Sequence, residues 1–303
     1  MLIKEGIFKR SYRVKIVKQL KYNVLYLGNK LKNVLLIIWA ACLPGCIASI
    51  KLAVPDKFKE QASMEHVNGA RGNKMSFASF TTSKIKRGMH ETSSDWGRNF
   101  FLENMLLNRI GVQKDEKVTQ EKGRFHYTLT DGKNYAEVYG DEQQLTVGLE
   151  YEAFKSNSVF NKFGKLEQYT YIFSAIIRTN EAQESRNWEL LMTNYYDPKT
   201  GNDENSFTYF KQGAYGQATN GTDTIIIKPI IIKNTVLSNG KPVQMPFKIL
   251  SGYELSIDDG VIAIIDMIGH NIWFYNELEP AEKLHVSAIA TAIFARRVHD
   301  EKW

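Results

Sequence analysis

The sequence predicts an α+β fold, mainly an antiparallel β-sheet or barrel curled around a buried hydrophobic C-terminal helix. The first observation is the helix itself, from Pro280 to about Arg297, which is apolar or small on nearly every face between Leu284 and Ala295. A helix that is apolar all round must be buried all round. These twelve positions span only about 18 Å, too short for a bilayer.

The second observation is an apolar alternation with a period of two residues, which is typical of half-buried strands. It runs through 145–151, 169–177 and 188–192. The third is a set of turn signals, such as Asp131-Gly132 and Asn239-Gly240, which favour short connections between strands. The strands predicted beside such turns cover 124–130, 133–139, 224–233, 243–250, 261–267 and 271–277.

The remaining elements are less regular. Alternation also predicts a strand over Met75–Lys86, and Pro229 marks an edge or a bulge in its strand because proline cannot donate to a ladder. A short helix is predicted within Asp56–Met64. An amphipathic helix is predicted over Trp96–Ile110. Its apolar side would carry Phe100, Phe101, Met105 and Leu106.

A long antiparallel sheet around one apolar helix resembles the tubby-like and scramblase-like barrels, which wrap their strands around a hydrophobic C-terminal helix. The resemblance is architectural and rests on the helix from Pro280 and on the number of predicted strands. It implies a barrel with the helix at its centre. The plainer alternative is an α+β domain in which the helix packs on one open sheet.

The N-terminal segment has the features of an export signal. Residues 1–33 hold nine Lys or Arg and one acid, and the apolar run Val34–Leu43 follows them. Next comes Leu43-Pro44-Gly45-Cys46, which resembles the lipobox of bacterial lipoproteins. The resemblance implies cleavage after Gly45 and acylation of Cys46. A membrane partner, held through acyl chains on Cys46, is therefore expected.

Three regions follow from this interpretation: a signal peptide over 1–45, a polar tether over 46–74, and a single β-rich domain over 75–303. The leader is long, either because the start codon is placed too early or because an amphipathic segment lies on the inner membrane face. The expected location is the cell envelope. Ile47 stands where an aspartate would indicate inner-membrane retention, which favours the outer membrane.

Loss of the leader changes the charge and the cysteine content. The whole chain has 39 basic and 33 acidic residues, and 30 and 32 remain from Cys46 onward, a formal net charge of −2. A nucleic-acid partner is therefore not expected. Cys42 leaves with the leader and Cys46 is acylated, so no disulfide is expected in the mature domain.

Catalytic and metal-binding patterns are absent from the mature sequence. It contains no nucleophile elbow, phosphate-binding loop or zinc-protease motif, and no histidine lies three or four residues from another. No cofactor, metal ligand or catalytic residue is therefore predicted. Glu150 and Glu152 share one strand face, but glycosidase chemistry needs two carboxylates at a set separation. Asp258-Asp259-Gly260 is interpreted as a turn rather than a pair of catalytic acids. His285 is interpreted as a residue of the core or of the helix end.

Two regions are candidates for binding. Phe207–Asp223 is a polar loop whose aromatic residues, Tyr209, Phe210 and Tyr215, form a candidate binding surface for a sugar or a protein. The alternative is that these rings fold back onto the core. Lys84 and Lys86 share a strand face beside Arg87 and could meet anionic groups, although a solvated face is the plainer interpretation.

The sequence therefore leads to two functional hypotheses. The first is a non-catalytic envelope lipoprotein, a binding or structural module whose partner is an envelope protein or a glycan. The second is a surface hydrolase that acts on an extracellular polymer such as a glycan. The absence of catalytic motifs favours the first.

Overall fold

The computed structural model describes the residues 54–97, 101–110, 112–153, 162–180, 187–196, 214–236, 242–258 and 260–298. All of them belong to the compact unit Ile50–Trp303, which is distinct from Met1–Ser49. The predicted signal peptide and its lipobox residues Leu43, Pro44, Gly45 and Cys46 lie outside the described residues.

Three α-helices and fourteen β-strands form in the described stretches. The helices are α1 Asp56–Lys59, α2 Phe101–Leu107 and α3 Pro280–Ala295, and a 3₁₀ turn, Asn108–Ile110, follows α2. The strands are β1 Ala62–His66, β2 Ser76–Phe77, β3 Phe80–Thr82, β4 Lys86–Arg87, β5 Glu91–Trp96, β6 Val112–Thr130, β7 Tyr135–Ala153, β8 Lys162–Thr179, β9 Trp188–Tyr196, β10 Tyr215–Thr219, β11 Thr224–Val236, β12 Pro242–Ile257, β13 Gly260–Asp266 and β14 Asn271–Tyr275.

The strands form one antiparallel sheet in the order β1-β14-β13-β12-β11-β10-β9-β8-β7-β6-β3-β2, and β4 and β5 also pair with β6. At the two ends of the sheet, Asn68, just after β1, forms a bridge with Ser76 of β2. The sheet therefore curls into a nearly closed barrel. This confirms the predicted α+β class, and the helix does not pack on an open sheet.

Helix α3 lies at the centre of the core. Every side chain from Val286 to Ala295 is buried, as the apolar sequence predicted. Pro280 occupies the first turn, and the Glu279 and Glu282 side chains form a reciprocal capping box with the backbone. Tyr127 of β6 donates a hydrogen bond of 2.8 Å to Thr291, which ties the middle of the helix to the barrel wall.

Alternation along the long strands decides which side chains reach the helix. On β8, Tyr171, Phe173, Ala175 and Ile177 are buried, whereas Ile172 and Ile176 in the alternate positions are exposed on the outer face. The predicted period of two residues is confirmed there. The hairpin predicted around Asp131-Gly132 also forms, with Gly132 at φ 95°, but its strands β6 and β7 each run for 19 residues.

The two ends of the barrel differ. Because neighbouring strands are antiparallel, the turn 131–134, the start of α3 and helix α1 lie at one end, which we call the turn end. The end of α3, with Arg296, lies at the opposite end. The amide of Asn276 donates to the carbonyl of Gln61, which places the segment after α1 beside the start of α3.

The predicted tether over 46–74 does not hold for its described part, because residues from Asp56 onward belong to the fold. Strand β1 pairs with β14 along its whole length, and Val67 and Ala70 are buried. The short helix predicted within Asp56–Met64 is confirmed only as α1, since β1 begins at Ala62. The segment that the sequence predicted to be a polar, irregular tether therefore connects the two ends of the sheet.

The helix predicted over Trp96–Ile110 is too long at both ends. Strand β5 extends through Trp96, and α2 covers only Phe101–Leu107. Its apolar residues are exposed rather than packed, with Phe101 at 69% and Leu102 at 70%. Asn104 instead fastens the helix to β6 through two hydrogen bonds with the backbone of Lys114, at 2.7 and 2.8 Å.

Two further strands are interrupted where the backbone changes direction. The strand predicted over Met75–Lys86 is divided into β2, β3 and β4, with Ala78 at φ 45° in the first turn. Pro229 pairs with Tyr253 in β12, and the register shifts just after Ile230. The prediction of a bulge near this proline is confirmed. No helix among the described residues is both long enough and apolar enough to cross a membrane.

Candidate functional site

An open cleft of about 460 Å³ lies against the outer face of the barrel, where it crosses β4, β6, β7 and β8. We call it the outer groove and define it by six side chains: Arg124, His126, Tyr139, Asp141, Ser174 and Ile176. Each is exposed or half-exposed. Those on different strands lie 13 to 52 positions apart in the sequence, and strand pairing brings them together.

Strand register arranges these six side chains in two rows. His126 pairs with Tyr139, and Tyr139 pairs with Ile176, which makes the first row. Two residues further along each strand, Arg124, Asp141 and Ser174 form the second row. Residues separated by two positions point to the same face of a strand, so both rows project outward.

The first row is an aromatic and apolar wall. The rings of His126 and Tyr139 are stacked, with centroids 6.0 Å apart and planes inclined by 17°. The guanidinium of Arg178 lies 5.7 Å from the centre of the Tyr139 ring. The Tyr139 hydroxyl donates to Glu137 at 3.3 Å. These contacts hold the Tyr139 ring in place although 44% of the residue is exposed.

The second row is a polar wall. Arg124 Nε donates to Asp141 Oδ2 at 2.7 Å, and both side chains are about half exposed or more. Exposed ion pairs of this kind contribute about 0–1 kcal/mol to stability. Arg124 and Asp141 can therefore exchange this contact for hydrogen bonds to a ligand at little cost. The Ser174 hydroxyl lies in the same row and can donate or accept.

The floor of the groove is rigid because its side chains belong to the core. Phe125 pairs with Gly140 across β6 and β7, and a Cβ atom at Gly140 would come within 2.3 Å of the Phe125 ring. Only glycine leaves room for that ring. On its other sides Phe125 contacts Phe173, with centroids 6.1 Å apart, and the guanidinium of Arg87 at 5.7 Å.

Behind this floor, at the end of α3, lies a buried arginine. Arg296 is 3% exposed, and its guanidinium lies 5.1 to 6.0 Å from the ring centres of Tyr253, Phe173 and Tyr171. Its Nη2 donates to the Tyr253 hydroxyl at 3.1 Å, and its Nε donates to the Ile293 carbonyl at 3.0 Å. Burial alone would lower the pKa of Arg296, but Tyr253, Tyr171 and Glu142 raise it above the ordinary value. The group is a permanent cation.

Glu142 is the acid of this buried cluster and is 1% exposed. Its carboxylate accepts hydrogen bonds from the backbone amides of Arg297 and Val298, at 3.0 and 3.2 Å, and from the Tyr171 hydroxyl at 3.2 Å. Burial raises the pKa of Glu142 above its ordinary value of 4.5, while the two amides and Arg296 act in the opposite direction. The cluster joins β7 to the end of α3.

The raised pKa makes a prediction about pH. A folded-state pKa above the unfolded value contributes stability at low pH, which is lost as the pH rises from about 4.5 through the folded pKa. Glu142→Gln removes this dependence. We expect the melting temperature of the natural protein minus that of the variant to be largest near pH 4 and to shrink toward pH 8. A difference that grows with pH would mean that the amide donors and Arg296 outweigh burial.

The aromatic residues singled out in the sequence are only partly described. Tyr209 and Phe210 lie outside the described residues. Tyr215 is the first residue of β10, pairs with Thr193, and is 60% exposed on the outer face. The loop predicted over 207–223 therefore contains a strand at Tyr215–Thr219, and the Tyr215 ring does not fold back onto the core.

The other candidates occupy ordinary structural positions. Glu150 is exposed and contacts Lys117 at 3.3 Å, while the Glu152 side chain lies outside the described part. Asp258 lies in the turn between β12 and β13, at φ 46°, as predicted. His285 is half-buried, and its ring lies 5.2 Å from that of Trp188 at the barrel wall.

The basic cluster is divided between the two faces of the sheet. Lys84 and Lys86 are exposed, as expected for a solvated face. Arg87 instead points inward and donates a hydrogen bond of 2.7 Å to the carbonyl of Ala295, at the end of α3. A cation in this position satisfies a helix carbonyl that has no partner within the helix.

Sequence reasoning did not identify the outer groove. The usable signal was the pair Arg124 and His126 on the predicted strand 124–130, together with Tyr139 at the end of the predicted strand 133–139 and Asp141 two positions beyond it. Among the described residues, no group of three or more His, Cys, Asp or Glu side chains could hold a metal ion. No family model, no curated protein and no solved structure matches this chain.

Proposed function

We propose that this protein is a lipid-anchored lipoprotein of the bacterial cell envelope, placed in the outer membrane, and that its barrel is a non-catalytic binding module. The observation that carries the binding role is the outer groove, an open cleft of about 460 Å³ between an aromatic wall and a polar wall. Its only close charged pair, Arg124 with Asp141, is mutually satisfied and exposed, which suits ligand contact better than proton transfer.

The anchor follows from the lipobox, and the fold limits its length. Val54, the first described residue, comes eight positions after Cys46. Eight residues span at most about 29 Å when fully extended. Since Pro55 leads into α1 at the turn end, this end of the barrel would lie toward the membrane.

The groove then has a defined position. His126 lies four residues from the end of β6, about 13 Å along the strand from the turn end. The groove crosses the strands, so it would run roughly parallel to the membrane surface when the barrel stands on its turn end. A short anchor thus keeps the groove close to the bilayer, where it meets components of the envelope.

The anchor is tested with Cys46→Ala. The protein, produced in a Gram-negative bacterium, should lose labelling by a fatty-acid analogue and should accumulate as an unprocessed precursor or leave the membrane fraction. Each buried methylene of an acyl chain contributes about 0.8 kcal/mol. Several chains together therefore bind a membrane far more tightly than the single chain that gives only marginal binding.

Cys42→Ala is the matched control, because Cys42 is the only other cysteine and lies within the predicted leader. It should leave processing, labelling and membrane association unchanged. A Cys46→Ala protein that is still processed, labelled and sedimented with membranes would refute lipid anchoring. Density-gradient separation of the two membranes tests the outer-membrane placement.

A further inference from the structure

The two walls of the outer groove differ in polarity: one is apolar and the other is polar, and they lie two residues apart along the strands. Tyr139 and Ile176 present apolar surface on one side. Arg124, Asp141 and Ser174 present donors and acceptors on the other. A ligand that fills both walls needs an apolar face and a hydrogen-bonding edge in the same unit.

We infer that the outer groove binds a neutral linear glycan, with the C–H face of a sugar ring against the wall of His126, Tyr139 and Ile176 and its hydroxyls directed to Arg124 and Asp141. This deepens the proposed binding role and depends on it, but it does not depend on the lipid anchor. A pyranose ring has the required combination of an apolar face and a hydroxyl edge. Aromatic side chains with a large exposed area typically dominate such contacts.

The charge of the groove favours a neutral ligand. Arg124 is paired with Asp141, and Glu137 accepts a hydrogen bond from the Tyr139 hydroxyl. An anionic polymer would meet both carboxylates as well as the cations. The net charge of −2 from Cys46 onward also gives no long-range attraction for polyanions.

The strand pairing disfavours an extended peptide. Peptides that bind sheets usually add a strand to a free edge. At the groove, β6 pairs with β4 and β7, β7 pairs with β6 and β8, and β8 pairs with β7 and β9. β6, β7 and β8 are thus paired on both sides within the groove. Among the described strands, β4 pairs only with β6, but it is two residues long, too short to template an added strand. Its direction across four strands, a length of about 14 Å at the usual strand spacing, suits an elongated ligand that contacts side chains.

The test is calorimetric titration of the full-length protein, purified in detergent, with cellohexaose and chitohexaose as neutral glycans. Oligogalacturonate of the same length is the anionic comparison. We expect saturable binding of at least one neutral hexasaccharide, weaker binding of the anionic one, and unchanged glycan chain length after incubation.

Tyr139→Ala should weaken binding at least about tenfold. Tyr135→Ala is the matched control, since Tyr135 lies on the same strand and face with the same 44% exposure but outside the groove. It should change the affinity less than about twofold. Ser174→Trp fills the groove from the opposite wall and should abolish binding without lowering the melting temperature.

The inference fails if neither neutral glycan binds, if oligogalacturonate binds more tightly than both, or if the two tyrosine variants lose affinity equally. It also fails if Ser174→Trp binds normally. Failure here with Cys46→Ala still released from the membrane would leave the lipid anchor intact and remove only the glycan. Glycan binding as expected, together with a Cys46→Ala protein that stays in the membrane fraction, would support the glycan site and refute the lipid anchor.

Discussion

Replacement of Ile289 by aspartate is expected to leave the chain without a stable fold. Ile289 is fully buried near the middle of α3, and every residue from Val286 to Ala295 around it is buried as well. An unpaired carboxylate in an apolar site costs several kcal/mol, even when it takes up a proton. The whole free energy of unfolding of a typical protein is about 5–15 kcal/mol. Circular dichroism during heating should show no cooperative transition.

The matched control is Ile172→Asp. Ile172 lies on β8 with its side chain on the outer face and 40% exposed, so the new carboxylate reaches water. We expect this variant to melt cooperatively within a few degrees of the natural protein. A soluble Ile289→Asp protein with a sharp transition would contradict the central position of α3.

The second large effect is expected for Arg296→Met. The substitution removes the hydrogen bonds to Tyr253 and Ile293, and it removes the buried cation whose charge favours the ionised form of Glu142. Breaking a buried charge cluster on one side typically costs about 3–5 kcal/mol. We expect a loss of this size in the free energy of unfolding, measured by urea denaturation at neutral pH.

Two comparisons separate charge from packing. Arg296→Met combined with Glu142→Gln should lose less than the sum of the single variants, because the second change removes the stranded carboxylate. Lys117→Met breaks the exposed contact with Glu150 and should cost less than about 1 kcal/mol. An additive double variant would mean that Arg296 and Glu142 stabilise the end of α3 independently.

The core was the most predictable part of the fold. A run of mostly apolar or small side chains over Leu284–Ala295 leaves a helix of that length no polar face, whatever surrounds it. Period-two alternation likewise placed Tyr169, Tyr171 and Phe173 on the buried face of β8. These features depend on residues a few positions apart, so they can be read locally.

The outer groove depended on the length of one turn. If Asp131-Gly132 were a two-residue turn between Thr130 and Lys133, His126 would face Glu137. The loop instead covers 131–134, so Thr130 pairs with Tyr135 and His126 faces Tyr139. Two extra residues in the loop leave each side chain on the same face of the sheet but change which residue lies opposite it on the partner strand. The ring pair of the groove therefore could not be read from alternation.

The extent of the domain shows the same limit. Residues 62–66 have few apolar side chains and read as a tether, yet they pair with β14, about 200 positions later in the chain. Their stability comes from backbone hydrogen bonds to a partner strand and from Val67 and Ala70 in the core. Local composition contains no information about such a partner.

By itself the sequence determined that a helix apolar on nearly all sides would be buried and that strands with alternating burial would surround it. Each of these rests on the solvation of side chains close together in the chain. Only the tertiary structure decided that the segments of β1 and β2 bring the ends of the sheet together, that Arg296 and Glu142 belong to one buried cluster at the end of α3, and that His126 stands beside Tyr139. Register and closure depend on turn lengths and on strand pairing between distant residues, which set neighbours without changing the pattern of burial.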